Sequence, residues 1–538
     1  MSTFEPRGPE QQYVIDATAP SLVVLGGAGT GKTVCALAAA RAHLLRTTTT
    51  AHDRALFLSF SRAAVARIDE RAQGILGLER SRIDTSTFHA LAYSIVRRFG
   101  ALIGRPDPVL VSPARQRIRK VPGSVGYDDL IPMALEILRA SPAVATHLQG
   151  RWGLVIVDEF QDTGDEHQRL VDALALGRRI LLGDPDQCIY TFLADKGVRL
   201  QRVLDASATA GAENTVTLPE HSHRDPSQMI PAVARAIQRR DFTATVLRDA
   251  MDAGRLVVHD PVALDDEVAA IAAVVRDVRD EQMDVAVFTH HNDMLARLSD
   301  GLEGLGVEHE IAGLSDALAA ALDAQSTMLR FASGGAAWAE VLECLAVFVT
   351  SAQRGRSVPQ LALNILRGDG PSTLQAKLVD LSLELDNAAI DAALPSIANA
   401  HRTLELGSKS AAWEDAFVLV STMHARAIRR LGPSATPQSL AHAIAAESQE
   451  AAYLTLTESV VRPRPVQLMN LYQTKGREAD VTVVVLRDGD WFGDEGEPWP
   501  STSRLLYVVF SRARTRIIVL PVGDDLHAAV RQLGALKA

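Results

Sequence analysis

Residues 21–46 read SLVVLGGAGTGKTVCALAAARAHLLR. SLVVLGG (21–27) has the run of β-branched and aliphatic residues of a buried strand, and a helical pattern continues to about Arg46. Between them GGAGTGKT (26–33) fits G-x-x-x-x-G-K-[ST]. Glycines at Gly26, Gly27, Gly29 and Gly31 let backbone N–H groups, with those of Ala28 and Thr30, turn inward around phosphate oxygens. The helix N-terminus adds positive potential. Lys32 is then placed for terminal phosphates and Thr33 for a Mg²⁺ ion. A Gly-rich turn of purely structural use is the competing reading, and the strand before and helix after weigh against it.

Outward from this stretch, strand-like and helix-like segments alternate. ALFLSF (55–60), IDTST (83–87), GLVIVDE (153–159) and RRILLGD (178–184) are strand candidates, each followed or preceded by a helical pattern. The rhythm resumes with RLVVHD (255–260), DVAVFT (284–289), VQLMNLY (466–472), VTVVVL (481–486) and RIIVL (516–520). This is the signature of parallel sheets covered by helices. The expected organisation is α/β: a first lobe from 1–99 and 151–213 with a helical insertion at 100–150, and a second lobe from 214–312 and 463–538 with a helical insertion at 313–462.

VIVDEFQDT (155–163) ends an apolar strand in three carboxylates, Asp158, Glu159 and Asp162. Beside a phosphate loop, Asp158 suits a metal ion's coordination shell, and Glu159 suits a base that takes a proton from attacking water. A divalent cation relieves the repulsion among them. Without the loop, a solvated acidic turn would be the commoner reading.

The chain has 538 residues and a formal charge of −10. That balance does not advertise a nucleic-acid binder, but a local basic groove matters more than the sum. Cys35, Cys188 and Cys344 form no C-x-x-C pair, so neither a disulfide framework nor a zinc site is expected. No signal peptide or membrane span is read from the sequence, and a cytoplasmic location is expected.

Further motifs narrow the class. PEQQYVI carries Gln11, SFSRAAVARI begins at Ser59, TFH covers 87–89, GDPDQCIYTF covers 183–192, HRDP covers 223–226, LYQTKGREAD covers 471–480 and RLLYVVFSRAR covers 504–514. With the loop and VDEFQDT, this series resembles the UvrD/Rep-type superfamily 1 DNA helicases, in the family's order through both lobes. The resemblance implies two RecA-like motor lobes, and ATP and Mg²⁺ as cofactors. Gln11 would read adenine, and His223 would stand where a tyrosine stacks on it. Gln187 would sense the γ-phosphate. Arg224 and Arg512 would be arginine fingers, and Glu478 a further nucleotide contact. Phe60, Ser61, Phe88, His89, Tyr190 and Phe192 would meet single-stranded DNA, where stacking on aromatic rings is sequence-tolerant. For any one of these aromatics a core position is an even alternative. Arg115, Arg117, Arg119 and Lys120 form a basic run that would touch phosphates or merely face solvent.

The same resemblance implies ATP-driven 3′-to-5′ movement on single-stranded or partly duplex DNA, with strand separation, in repair, recombination or defence. A second expectation is an ATP-dependent, DNA-sensing regulatory subunit beside a partner nuclease or repair protein, as in Gabija-type systems. Both insertions are shorter than in full-sized relatives. A small-molecule kinase is a third reading, and leaves Gln187, Arg224 and Arg512 without a purpose.

Overall fold

The computed structural model describes residues 5–46, 54–119, 123–175, 177–187, 203, 205–290, 292–311, 315–351, 357–368, 370–386, 388–407, 410–457, 464–471, 474, 477–487, 490, 501–524 and 528–536. The chain divides into two compact units. One comprises Met1–Asp107, Leu130–His291 and Val460–Ala538; the other comprises Pro108–Asp129 and Asn292–Ser459.

The first unit holds two parallel sheets. The sheet of the first lobe runs Ile83–Thr87, Arg54–Ser59, Trp152–Val157, Arg178–Gly183, Ser21–Leu25, Thr215–Thr217. Its central strands are near-continuous apolar runs because helices cover both faces. Leu22, Val24, Phe57, Leu154, Ile156, Ile180 and Leu182 join Leu37 and Ala40 of helix Lys32–Arg46 in one core. Within this unit the sheet of the second lobe runs Val466–Asn470, Val285–Thr289, Ala479–Arg487, Ala513–Val522, Leu256–Val258, again parallel.

The insertion expected at 100–150 is smaller than its helical pattern suggested. Helices Leu130–Ala140 and Pro142–Gln149 stay with the first lobe, packing on helices Phe88–Phe99 and Asp165–Leu174. Their buried residues Ile131, Ala134, Ile137, Val144 and Leu148 supply that contact. Only 108–129 joins the second unit, which itself begins at Asn292 rather than at 313.

The second unit is mainly helical. Strands Val109–Val111 and Ser124–Gly126 pair in parallel, and helix Pro113–Ile118 packs against helix Trp338–Ser351. Trp413 is buried at its centre, edge-on to Phe348 at 5.1 Å, with its indole N–H donating to the Ile397 carbonyl at 3.0 Å. The basic run is spent inside this unit. Arg115 pairs with Asp323 at 2.6 Å, Arg119 pairs with Glu343 at 3.1 Å, and Arg117 donates to the Thr350 carbonyl. These side chains tie the short segment to its neighbours, with Arg119 still largely exposed, as the solvent-facing alternative has it; Lys120 lies outside the described residues. Among the described residues no helix is long and apolar enough to cross a membrane.

Candidate nucleotide cleft and nucleic-acid edge

The phosphate loop leaves the C-terminal end of strand Ser21–Leu25 and turns directly into helix Lys32–Arg46. Gly29 and Gly31 have φ of 80° and 92°, a region that penalises any side chain. A Cβ on Gly29 would also lie 2.2 Å from Ser222 Oγ. Thr30 Oγ1 donates to the Gly27 carbonyl, and Lys32 Nζ donates to the carbonyls of Gly26 and Gly27 at 2.5 and 3.0 Å.

The next strand but one brings the carboxylates. Thr33 Oγ1 donates to Asp158 Oδ2 at 3.2 Å. Burial, followed by the neighbouring Glu159 carboxylate, pushes Asp158 up to about 6. Two crowded carboxylates beside a hydroxyl are a donor set suited to a hard divalent cation, completed by water and phosphate oxygens. Glu159 sits in the left-handed region at φ 55°, ψ 41°, a strained conformation for a residue with a side chain. Its carboxylate accepts from Gln161 Nε2 at 2.6 Å, while Gln161 Oε1 accepts from the Asp184 backbone N–H at 3.0 Å.

The second lobe meets this edge with arginines. Arg224 lies in the loop before helix Met229–Gln238; Glu478 and Arg512 immediately precede strands Ala479–Arg487 and Ala513–Val522. The C-terminal edge of one sheet therefore faces the N-terminal edge of the other. Arg512 Nη2 donates to Gln187 Oε1 at 2.5 Å, and Gln187 Nε2 donates to Asp184 Oδ2 at 2.7 Å. Burial and the nearby Arg224 hold the Arg512 guanidinium below its ordinary range. Arg224 Nη2 pairs with Glu478 Oε1 at 2.6 Å, and Arg67 Nη1 reaches the same oxygen from the first lobe at 2.9 Å. Burial pushes Glu478 up, but Arg224 and Arg67 outweigh it and bring it down to about 2.

At the other end of the cleft, Gln11 Oε1 accepts from the Arg7 backbone N–H at 2.9 Å. Arg7 Nη1 donates to His223 Nδ1 at 3.1 Å, which leaves the ring neutral with its proton on Nε2. Burial, then the charge of Arg7, lowers the His223 pKa. A single cavity of about 340 Å³ is lined by Gln11, the loop from Gly27 to Thr33, Asp158, Glu159, Gln187, His223, Arg224, Glu478 and Arg512.

The expected nucleic-acid residues divide. Phe60 is partly exposed, its ring 5.0 Å from Phe88 and 5.1 Å from His167. Phe88 is 1% exposed, so it has no face open to a base and instead backs Phe60 from the core. This corrects its expected role as a stacking platform. His89 stands 5.8 Å from His167. Ser61 Oγ caps helix Arg62–Leu76 by accepting from Ala64 N at 3.1 Å. Tyr190 and Phe192 lie outside the described residues.

Residues 11–193 match the AAA domain family. The ATP-dependent DNA helicase UvrD1 of Mycobacterium tuberculosis (strain ATCC 25618 / H37Rv) is 24% identical over 388 residues, covering 57% of this chain and 49% of that protein. The ATP-dependent DNA helicase PcrA of Leuconostoc citreum is 26% identical over 296 residues, 43% of this chain and 39% of that protein. Over these stretches the chain is similar to UvrD/Rep-type superfamily 1 helicases. RecBCD enzyme subunit RecB of Mycolicibacterium smegmatis (strain ATCC 700084 / mc(2)155) is 36% identical over 119 residues, 22% of this chain and 11% of that protein. The chain spans about half the length of the UvrD1 relatives it matches.

Several residues to which the sequence assigns no role also line or brace the cleft. Arg7, Arg67 and Arg71 line it. Arg67 and Arg71 share one helix face by their spacing of four, a signal too common on exposed helices to single out. Gln161 of VDEFQDT and Asp184 of GDPDQCIYTF brace Glu159 and Gln187. Arg235 ties Asp186 across the lobes at 2.8 Å and stands 5.4 Å from the Tyr507 ring centroid.

Proposed function

We propose that the protein hydrolyses ATP in this cleft and uses the cycle to move 3′-to-5′ on single-stranded DNA and separate strands. The observation that carries the reading is that one cavity is lined by complementary groups from two lobes. Lys32, Thr33, Asp158, Glu159 and Gln187 come from one, and Arg224, Glu478 and Arg512 from the other.

Lys32 would release the loop carbonyls for the β- and γ-phosphates. Thr33 and Asp158 would hold Mg²⁺, which supplies charge neutralisation at the phosphates. Glu159, aimed by Gln161, would accept the proton of the attacking water. Arg224 and Arg512 would meet the charge that develops on the transferred group, making hydrolysis depend on the approach of the second lobe. Gln11 and His223 would contact the base. Phe60 and His89 would contact the strand.

The test is ATP turnover with and without single-stranded DNA, RNA and duplex, followed by displacement from duplexes carrying a 3′ or a 5′ tail. Stimulation by single-stranded DNA with displacement from the 3′-tailed duplex is expected. Turnover indifferent to nucleic acid would overturn the reading.

A second reading, an ATP-dependent DNA-sensing subunit acting with a partner nuclease, has the similarity to RecB, a subunit of a larger enzyme, in its favour. DNA-stimulated turnover without displacement would favour it.

A further inference from the structure

Helix Arg62–Leu76 begins at the nucleic-acid edge and passes the nucleotide cleft. Ser61 caps it, and Phe60, one residue earlier, stands against Phe88 and His167. Arg67 lies about 9 Å further along the axis. Its Nη1 donates to Glu478 Oε1 at 2.9 Å, the oxygen that also accepts from Arg224 Nη2 at 2.6 Å. The other arm of the Arg224 guanidinium donates to the Ser511 carbonyl at 3.0 Å, next to Arg512. One carboxylate oxygen shared by two rigid, planar cations cannot follow both independently. Displacing Arg67 turns Glu478, and turning Glu478 redirects Arg224.

We propose that Arg67 is a positioning residue that passes engagement of a nucleic-acid strand at Phe60 and Ser61 to the aim of Arg224, through the carboxylate they share. The inference rests on the DNA-stimulated hydrolysis proposed above and adds the route by which stimulation reaches the cleft. Helix Arg62–Leu76 is the lever: it is capped at the strand side and carries a side chain into the opposite lobe. Glu478 serves as a fixed anion at the pivot. Arg514 reaches the other oxygen of Glu478 at 3.8 Å from a more exposed position, and its other ion pair among the described residues is with Asp480.

The experiment compares ATP turnover with and without a poly(dT) single strand, in the full chain, for the wild type and for Arg67→Met, Arg67→Lys and Arg514→Met. Circular dichroism melting checks each fold. The readout is the ratio of stimulated to basal kcat, which a merely structural role would leave alone while lowering both rates. The ratio is expected to fall about fivefold or more in Arg67→Met. It should fall less in Arg67→Lys, which keeps the charge without the fork. In Arg514→Met it should stay within about twofold of wild type. Arg67→Met combined with Glu478→Gln should lower it no further than Arg67→Met alone.

An unchanged ratio in Arg67→Met, or an equal loss in Arg514→Met, overturns the inference. If Arg67→Met does not fold, a wild-type ratio in Arg67→Lys overturns it and a reduced one supports it. A wild type that ignores the single strand sinks the functional reading and this inference together. A stimulated wild type with an unaffected Arg67→Met sinks this inference alone.

Discussion

Arg512 Nη2 donates to Gln187 Oε1 at 2.5 Å, joining residues 325 positions apart and closing the cleft between the two lobes. Both partners are buried, and Gln187 passes the contact on to Asp184. Arg512→Ala should therefore lower the turnover of ATP by about 10³-fold or more. Arg512→Lys should rescue little, because a point charge does not replace a planar fork. Steady-state turnover beside an equilibrium measurement of nucleotide affinity checks both; near-normal kcat in either variant would remove Arg512 from the reaction.

Glu159→Gln should bind ATP with nearly normal affinity and hydrolyse it about 10²–10⁴-fold more slowly. The strained backbone and the Gln161 contact hold this side chain in place, so an isosteric amide keeps the geometry while losing the basic oxygen. Single-turnover product formation is the measurement, and rapid chemistry would mean that another group takes the proton.

Lys32→Ala should reduce turnover by about 10²–10³-fold or more. The loop keeps its glycine turns and the Thr30–Gly27 contact, so the variant should melt close to wild type. Full turnover would place the phosphates elsewhere.

His223→Tyr should tighten binding of a fluorescent ATP analogue by about 2- to 10-fold, the gain expected from a larger ring on the base. Arg7 now donates to the His223 ring, and its low pKa keeps that ring neutral near pH 7. Weaker binding would show that the Arg7–His223 contact matters more than ring area.

Glu478 titrates at about 2 when folded, below its ordinary value near 4.5. A depressed carboxylate adds stability that is present above the unfolded pKa and is lost as pH falls through the folded one. The stabilisation linked to that shift is on the order of 3 kcal/mol. Wild type should melt above Glu478→Gln by a constant margin from pH 7 to pH 5, and the margin should narrow below about pH 4.5. A margin that widens in acid would reverse the assigned sign.

The loop Gly26–Thr33 and the run Asp158–Asp162 were legible because each is a local pattern: the turn, the following helix and the charges lie within one short stretch. Strand positions such as Val285–Thr289 were legible for the same reason, since VAVFT is a short run of apolar and β-branched residues. Periodicity places helices Leu130–Ala140 and Pro142–Gln149 in an insertion because it reveals a buried face without naming what buries it. For Phe88 the sequence leaves a core position and a stacking position even, for a related reason. An aromatic beside a histidine reads alike whether its ring faces the core or the strand, and only its neighbours Phe60 and His167 decide.

The sequence by itself determined the α/β rhythm, the phosphate loop and the acidic strand end, because their physics acts over a few consecutive residues. Tertiary structure alone decided that Arg67 and Arg224 share one carboxylate oxygen of Glu478, that Gln161 aims Glu159, and that Arg115 serves its own helical unit. Charges and donors attract by distance in space, and chain order carries no measure of that distance until the sheets have formed.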